Sequence, residues 1–255
     1  MLFAVDVGNT NTLIGVYDDD KIAASWRLPT RRDSTADEIG IQIVELLKHR
    51  NLDPADVDGM IVSCVVPPLL FCYSKLAKLY FDVEAVVVGP GIKTGMPILY
   101  DNPKEVGADR IVNAVAAFAR HKKAMVIVDF GTATTFDVIS AKGEYLGGAI
   151  APGVNISLDA LFRMTSKLPR IEFVNPGSAI GKTTVHSMQA GVFYGYVGLV
   201  DALIERIKNE LPTPSTAIAT GGLATLITGE SKQIDHVEDD LTLEGLRLLY
   251  RMNNN

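Results

Sequence analysis

One pattern of eleven residues stands twice in this chain. Leu2-Phe3-Ala4-Val5-Asp6-Val7-Gly8-Asn9-Thr10-Asn11-Thr12 lines up with Met125-Val126-Ile127-Val128-Asp129-Phe130-Gly131-Thr132-Ala133-Thr134-Thr135 at a constant offset of 123 residues. Each copy is an apolar strand, an Asp-x-Gly turn and then the hydroxyl-rich start of a second strand. The Asp, the Gly and a Thr coincide at their turn positions. The fold therefore has to accommodate two halves that open in the same way.

Around these copies the chain reads as alternating α and β. Leu2 to Val5, Thr12 to Tyr17 and Lys21 to Leu28 read as strands, the first two as a hairpin. Ile39, Ile43, Leu46 and Leu47 recur at helical spacing, with Ser34 or Thr35 available as cap and Asp37 and Glu38 in the first turn. Met60 to Val66 is a continuous apolar run stopped by Pro67-Pro68, the mark of a buried strand. Leu69 to Leu79 reads as helix and Val83 to Val88 as strand, and the Gly- and Pro-rich stretch between Gly89 and Gly107 reads as loop. Val106 to His121 is helical, with a lobe boundary near its end, which gives lobes 1–117 and 118–255. The second half offers strands at Tyr145 to Ile150 and Ala217 to Gly222, and helices at Asn155 to Met164, Thr184 to Lys208 and Leu243 to Met252. The tail Asn253-Asn254-Asn255 is expected to fray.

Composition narrows the partners. A formal charge of -6, without a basic patch beyond Arg31-Arg32 and His121-Lys122-Lys123, disfavours nucleic acid and anionic membrane. Those short runs read as solvated surface charges. Hydrophobic residues at 47% and charged residues at 21% fit a well-packed globular protein. Two cysteines, Cys64 and Cys72, form neither a disulfide framework nor a metal pair, so a reducing cytoplasm is expected, and Cys64 reads as a buried small hydrophobe. The N-terminus lacks the features of a signal peptide, and no apolar stretch has the length of a membrane span.

An acid at the end of a buried strand, followed by glycine and then amide and hydroxyl residues, is suited to phosphate and metal. Glycine admits close approach, backbone N–H groups with Asn9, Thr10 and Asn11 donate to phosphate oxygens, and the carboxylate takes Mg²⁺ or its waters. A single such turn is also an ordinary hairpin signal; two of them, if opposed, could grip a triphosphate, and phosphoryl transfer asks for little beyond positioning and charge neutralisation. Gly221-Gly222 after a strand suits close approach by a flat ligand or serves simply as a tight turn. Asp109, in Gly107-Ala108-Asp109-Arg110 at a helix start, is either a helix cap or the base for an acceptor hydroxyl, with Arg110 placed for an acidic substrate. Gly181-Lys182-Thr183-Thr184 is not a Walker A loop, because Gly177 stands four residues before Gly181 and no apolar strand leads in. The four histidines show no ligand spacing for zinc.

Taken together, Asp6-Val7-Gly8-Asn9-Thr10-Asn11, Tyr100 with Gly107-Ala108-Asp109-Arg110, Asp129-Phe130-Gly131-Thr132-Ala133-Thr134 and Gly221-Gly222 resemble the type III pantothenate kinases of the actin, Hsp70 and sugar-kinase superfamily, over essentially the whole chain. The resemblance implies an α/β fold of two ribonuclease H-like lobes, each a mixed sheet flanked by helices, with a cleft between. It implies ATP-dependent phosphorylation of pantothenate, the first step of coenzyme A biosynthesis. On that resemblance ATP contacts fall on Asp6, Val7, Gly8, Asn9, Thr10, Asn11, Thr12, Leu13 and Thr132. Substrate contacts fall on Tyr100, Gly107, Ala108, Asp109, Arg110 and Thr184, and the proton acceptor is Asp109. Metal sites fall on Asp6, for Mg²⁺, and on Asp129, for a monovalent cation, K⁺ or NH4⁺. A homodimer whose protomers share the pantothenate pocket is implied too, with Thr184 opening a long helix that carries Gly191, Tyr194, Gly195 and Gly198.

Two other readings are weighed against this one. The first is a kinase of the same superfamily acting on a sugar or simple carboxylate, which a panel of hydroxylated metabolites would reveal. The second is a nucleotide-binding regulator without turnover, which would call for a DNA- or partner-binding surface; the chain has neither a basic helix nor a helix-turn-helix pattern.

Overall fold

The computed structural model describes residues 1–254, and they fall into two compact units. The first comprises Met1–Gly95, Asp101–Ala116 and the chain from Leu241 onward; the second comprises Met96–Tyr100 and Ala117–Asp240.

In the first unit the N-terminal apolar run forms β1 (Leu2–Val7) and folds back antiparallel through the Gly8 turn onto β2 (Asn11–Asp18), which pairs in turn with β3 (Lys21–Pro29). Helix α1 (Ala36–His49) starts at Thr35 with a complete capping box: Thr35 Oγ1 accepts from the Glu38 N–H while the Glu38 carboxylate accepts from the Thr35 N–H. The run stopped by prolines is β4 (Gly59–Cys64), parallel to β1, and Pro67 and Pro68 open α2 (Pro67–Phe81), where a missing N–H costs nothing. With β5 (Ala85–Val87) the sheet order is β3-β2-β1-β4-β5. Phe3, Val5, Val7, Ile14, Val16, Met60 and Val62 meet α1 and α2 on one face. Helix α3 (Ala108–His121) begins in this unit.

The second unit repeats the scheme. Strands β6 (Met125–Phe130), β7 (Ala133–Ile139), β8 (Tyr145–Pro152), β9 (Thr216–Gly221) and β10 (His236–Val237) lie in the order β10-β9-β6-β7-β8, so β6 stands where β1 stands and β9 where β4 stands. Val126, Val128, Phe130, Ala217 and Ala219 pack with residues of α4 (Val154–Arg163), α5 (Thr184–Glu210) and α6 (Ala224–Thr228). The short β10 and α6 have no counterpart in the sequence reading. Among the described residues no helix is long and apolar enough to cross a membrane.

Three expectations are refined. The offset of 123 holds through Gly8 and Gly131 and then slips, because Val7 pairs with Thr12 whereas Phe130 pairs with Thr134. The reason is a tighter turn: the Gly8 N–H reaches the Asn11 carbonyl (3.0 Å), while the Gly131 N–H reaches the Ala133 carbonyl (3.1 Å). The closing helix α7 (Leu241–Asn253), assigned by sequence order to the second half, belongs to the first unit, where Leu243 fills the space left by the absent side chain of Gly15 and Tyr250 abuts Gly59. Asn253 is helical rather than frayed. Its side chain accepts from the Lys93 N–H and donates to the Lys93 carbonyl, each at 2.9 Å, while Asn255 lies outside the described residues.

Candidate active site

Asp6 is the last but one residue of β1, paired with Leu13 on β2 and Ser63 on β4. Gly8 is required by the turn itself, since a Cβ there would lie 2.9 Å from the Asn11 carbonyl oxygen. The turn is braced from the end of β3. The Thr30 N–H donates to the Thr10 carbonyl (2.9 Å), the Thr12 and Thr30 hydroxyls share a hydrogen bond (2.9 Å), and Arg32 Nη2 donates to Asn9 Oδ1 (2.9 Å). Arg32 is thus engaged with the turn and is not a purely solvated charge. Behind Thr12, burial pushes the Tyr73 phenol up to about 12, which keeps it a neutral hydroxyl. Cys64 is half-buried, its thiol donating to the Val66 carbonyl (3.1 Å) and raised first by burial and then by the charge of Asp6.

Also in the first unit, Asp109 occupies the first turn of α3. Burial raises its carboxyl above the usual range, and the Arg110 N–H, which donates to Oδ1 at 2.9 Å, and then the Arg110 guanidinium pull it back down. Gly107 lies tightly against this carboxylate: a Cβ at that position would stand 2.5 Å from Asp109 Oδ1. Arg110 is buried, with 7% of its surface exposed, so it is not a free surface charge.

In the second unit Asp129 pairs with Thr135 on β7 and Thr220 on β9. Two glycines close on its turn. Gly221, at φ +93°, would place a Cβ 2.6 Å from Asp129 Oδ1, and Gly153 would place one 2.1 Å from the Thr132 carbonyl oxygen and 2.8 Å from that of Gly131. The Tyr196 hydroxyl donates to the Pro152 carbonyl (2.7 Å) and shares a 2.5 Å hydrogen bond with the Thr134 hydroxyl, tying the residue before Gly153 to the start of β7. Burial raises the Tyr196 phenol, partly offset by Thr134. Tyr100 stacks at a tilt on Tyr145, with ring centroids 6.4 Å apart, and Tyr145 donates to buried Asp137 (2.6 Å), which also accepts from Thr135 (3.1 Å). Thr184 is exposed in the first turn of α5, capped by Thr183 Oγ1 accepting from the His186 N–H (3.2 Å). An open depression of about 660 Å³ lies here, lined by Gly181, Lys182, Thr183, Thr184, Ser187 and Met188 with Leu168.

The carboxylates of Asp6 and Asp129 are hard oxygen donors, the type that Mg²⁺ and K⁺ take. Among the described residues no three His, Cys, Asp or Glu side chains cluster as a metal cage, so a cation at Asp6 or Asp129 would complete its shell from other oxygens, such as phosphate and water. A family model described as type III pantothenate kinase matches residues 2–206. The chain belongs to the type III pantothenate kinase family. It is 56% identical to the type III pantothenate kinase of Myxococcus xanthus over 254 residues, 100% of this chain and 99% of that one. It is 58% identical to that of Anaeromyxobacter sp. strain K over 253 residues, covering 99% and 100%. Among solved structures it resembles a protein from Sinorhizobium meliloti assigned as a 2-dehydro-3-deoxygalactonokinase (TM-score 0.63, 13% identity, 98% and 96% covered). It also resembles a protein from Campylobacter jejuni assigned to the Baf family of transcriptional activators (TM-score 0.62, 19% identity, 99% of each). At such identities these neighbours carry the fold alone.

For a type III pantothenate kinase, the first unit thus brings together the Asp6 turn with Thr30 and Arg32, and separately Gly107 to Arg110. The second brings Asp129, Thr132, Gly153 and Gly221 together and seats Tyr100 beside Gly147 and Tyr145. Gly153, Tyr196, the Asp137–Tyr145 pair and Arg32 escaped the sequence reading. The one available signal was for Gly153, a glycine between a strand-ending proline and a helix.

Proposed function

We infer that this chain catalyses ATP-dependent phosphorylation of pantothenate, with Asp109 as general base. Family membership supports the reaction class. The observation that carries the base assignment is a carboxylate enclosed by Gly107 and the Arg110 N–H and raised by burial above the usual carboxylate range. Asp109 takes the proton of the acceptor hydroxyl, and Arg110 with Tyr100 and Thr184 orients the acidic substrate. The Asp6 turn, from Asp6 to Leu13, and Thr132 receive the triphosphate through N–H and hydroxyl donors. Asp6 would hold Mg²⁺ and Asp129 a K⁺ or NH4⁺ ion, which when bound neutralise phosphate charge.

Purified protein supplied with ATP, Mg²⁺ and K⁺ is expected to form 4'-phosphopantothenate, and to turn over more slowly with Na⁺ in place of K⁺. Indifference to pantothenate together with turnover of a sugar would replace this reading with the sugar-kinase one.

The working form is a homodimer. On α5, Gly191, Gly195 and Gly198 are exposed, and a Cβ on any of them would have nothing within 4 Å, while Met164 and Ile180 are 85% and 79% exposed in the same unit. Small exposed residues at helical spacing suit close packing against a second copy, and bare apolar side chains in the same unit add surface to bury. Gly195→Glu is therefore expected to leave the protomer folded but to give a monomer in light scattering with little activity; an active Gly195→Glu dimer contradicts the assignment.

A further inference from the structure

Each acid of the repeat has a buried hydroxyl residue beside it on the neighbouring parallel strand. Asp6 on β1 pairs with Ser63 on β4, and Asp129 on β6 pairs with Thr220 on β9. Ser63 is 0% exposed and Thr220 is 2% exposed. In register on parallel strands about 4.8 Å apart, paired residues project from the same face of the sheet. The face is the one opposite Val5, Val7 and Val62, which pack against α1 and α2. The serine therefore belongs to the acid's side of the sheet.

A hydroxyl in that position has little structural reason to exist. Ser63 Oγ is buried and has no hydrogen-bond partner, on a strand whose other residues from Met60 to Val62 are wholly apolar and fully buried. A buried hydroxyl without a partner destabilises the fold relative to alanine, so that of Ser63, set beside the acid, calls for a functional explanation. A carboxylate that binds a cation works best when its rotamer is fixed by a donor that is not itself a ligand.

We propose that Ser63 is a positioning residue for Asp6: in the nucleotide-bound state its hydroxyl donates to the Asp6 carboxylate and holds it in the orientation that binds Mg²⁺ and the phosphates. Thr220 stands in the same relation to Asp129. The assignment rests on the proposed role of Asp6 in MgATP binding, and the experiment separates the two.

MgATP affinity is measured by titration calorimetry on the full-length protein and on Ser63→Ala, Ser63→Cys, Asp6→Asn and the Ser63→Ala/Asp6→Asn double variant, with melting temperatures alongside. Ser63→Ala is expected to melt at or above the parent temperature yet to bind MgATP about tenfold more weakly, the scale of a lost hydrogen bond to a charged group. Ser63→Cys keeps the side-chain shape with a somewhat larger atom and replaces the strong donor by a weak one, so a similar weakening is expected. In the Asp6→Asn background the serine substitution is expected to have no further effect. Unchanged affinity in Ser63→Ala with weakened binding in Asp6→Asn overturns the role of Ser63 alone. Unchanged affinity in Asp6→Asn overturns the role of Asp6 and, with it, that of Ser63. Equal losses in both backgrounds would show that Ser63 acts independently of Asp6, contrary to the proposal.

Discussion

Asparagine at position 109 is expected to lower kcat by roughly 10²- to 10⁴-fold, the contribution of a positioned general base, with MgATP affinity nearly unchanged. The split follows from placement: Asp109 begins α3, whereas the proposed phosphate donors sit on the Asp6 turn and at Thr132. Asparagine keeps the shape of the side chain against Gly107 and can still accept from the Arg110 N–H, so the loss should not come from unfolding. A companion result concerns pH. Burial disfavours the ionised form and raises the carboxyl, while the base must be ionised to act, so the acid limb of kcat/KM is expected above the usual carboxylate range. Stability runs the other way. Because the folded-state pKa is raised, the folded protein binds the proton more tightly, and stability falls as pH rises from the ordinary value through the raised one. Asp109→Asn is therefore expected to melt higher than the parent at pH 7, with the gap closing in acid. An Asn variant that retains most of its turnover, or an acid limb at the ordinary aspartate value, would remove Asp109 from the role.

What was legible in the sequence was whatever local chemistry dictates. Asp-x-Gly after an apolar run marks β1 and β6, Thr35 with Glu38 sets the start of α1, and Pro67-Pro68 both ends β4 and opens α2. What was not legible depends on residues distant in the chain. The one-residue slip between the two hairpins is decided by which carbonyl the turn glycine reaches, and amphipathic periodicity in α7 says that one face is buried but not against which sheet. Arg32 looks like any surface arginine until β3 carries it to Asn9. Ser63 reads as a small residue in an apolar strand until register sets it beside Asp6. In the candidate site the acids of the repeat were readable, because an Asp-x-Gly turn, ordinary on its own, stands twice after an apolar run at a fixed offset. The glycines and hydroxyls that orient them were not, because their roles exist only in the paired sheet.

Gly221 and Gly222 put this distinction to a sharp test, since the sequence treats them as one pair and the structure does not. Gly221 ends β9 at φ +93°, in register with Phe130 and one residue past the partner of Asp129. An alanine there would bring its Cβ within 2.6 Å of Asp129 Oδ1 and 2.8 Å of the Phe130 backbone, and no side-chain rotation can relieve a contact with backbone. The left-handed conformation alone costs a residue with a Cβ about 1–2 kcal/mol, and overpacking a tight site adds roughly 1–3 kcal/mol. Relief would have to come from moving the Asp129 turn, so the proposed cation site shifts together with the fold. Gly222 is exposed, has nothing within 4 Å of a built Cβ and carries no positive φ. Gly221→Ala is thus expected to lower the melting temperature by roughly 5–10 °C and to remove most K⁺-dependent activity, while Gly222→Ala stays within about 0.5 kcal/mol of the parent. Thermal melts and a K⁺ titration of turnover on the two variants decide the matter. Similar behaviour of the pair would mean that the close approach of Gly221 to Asp129 does not organise this half of the site.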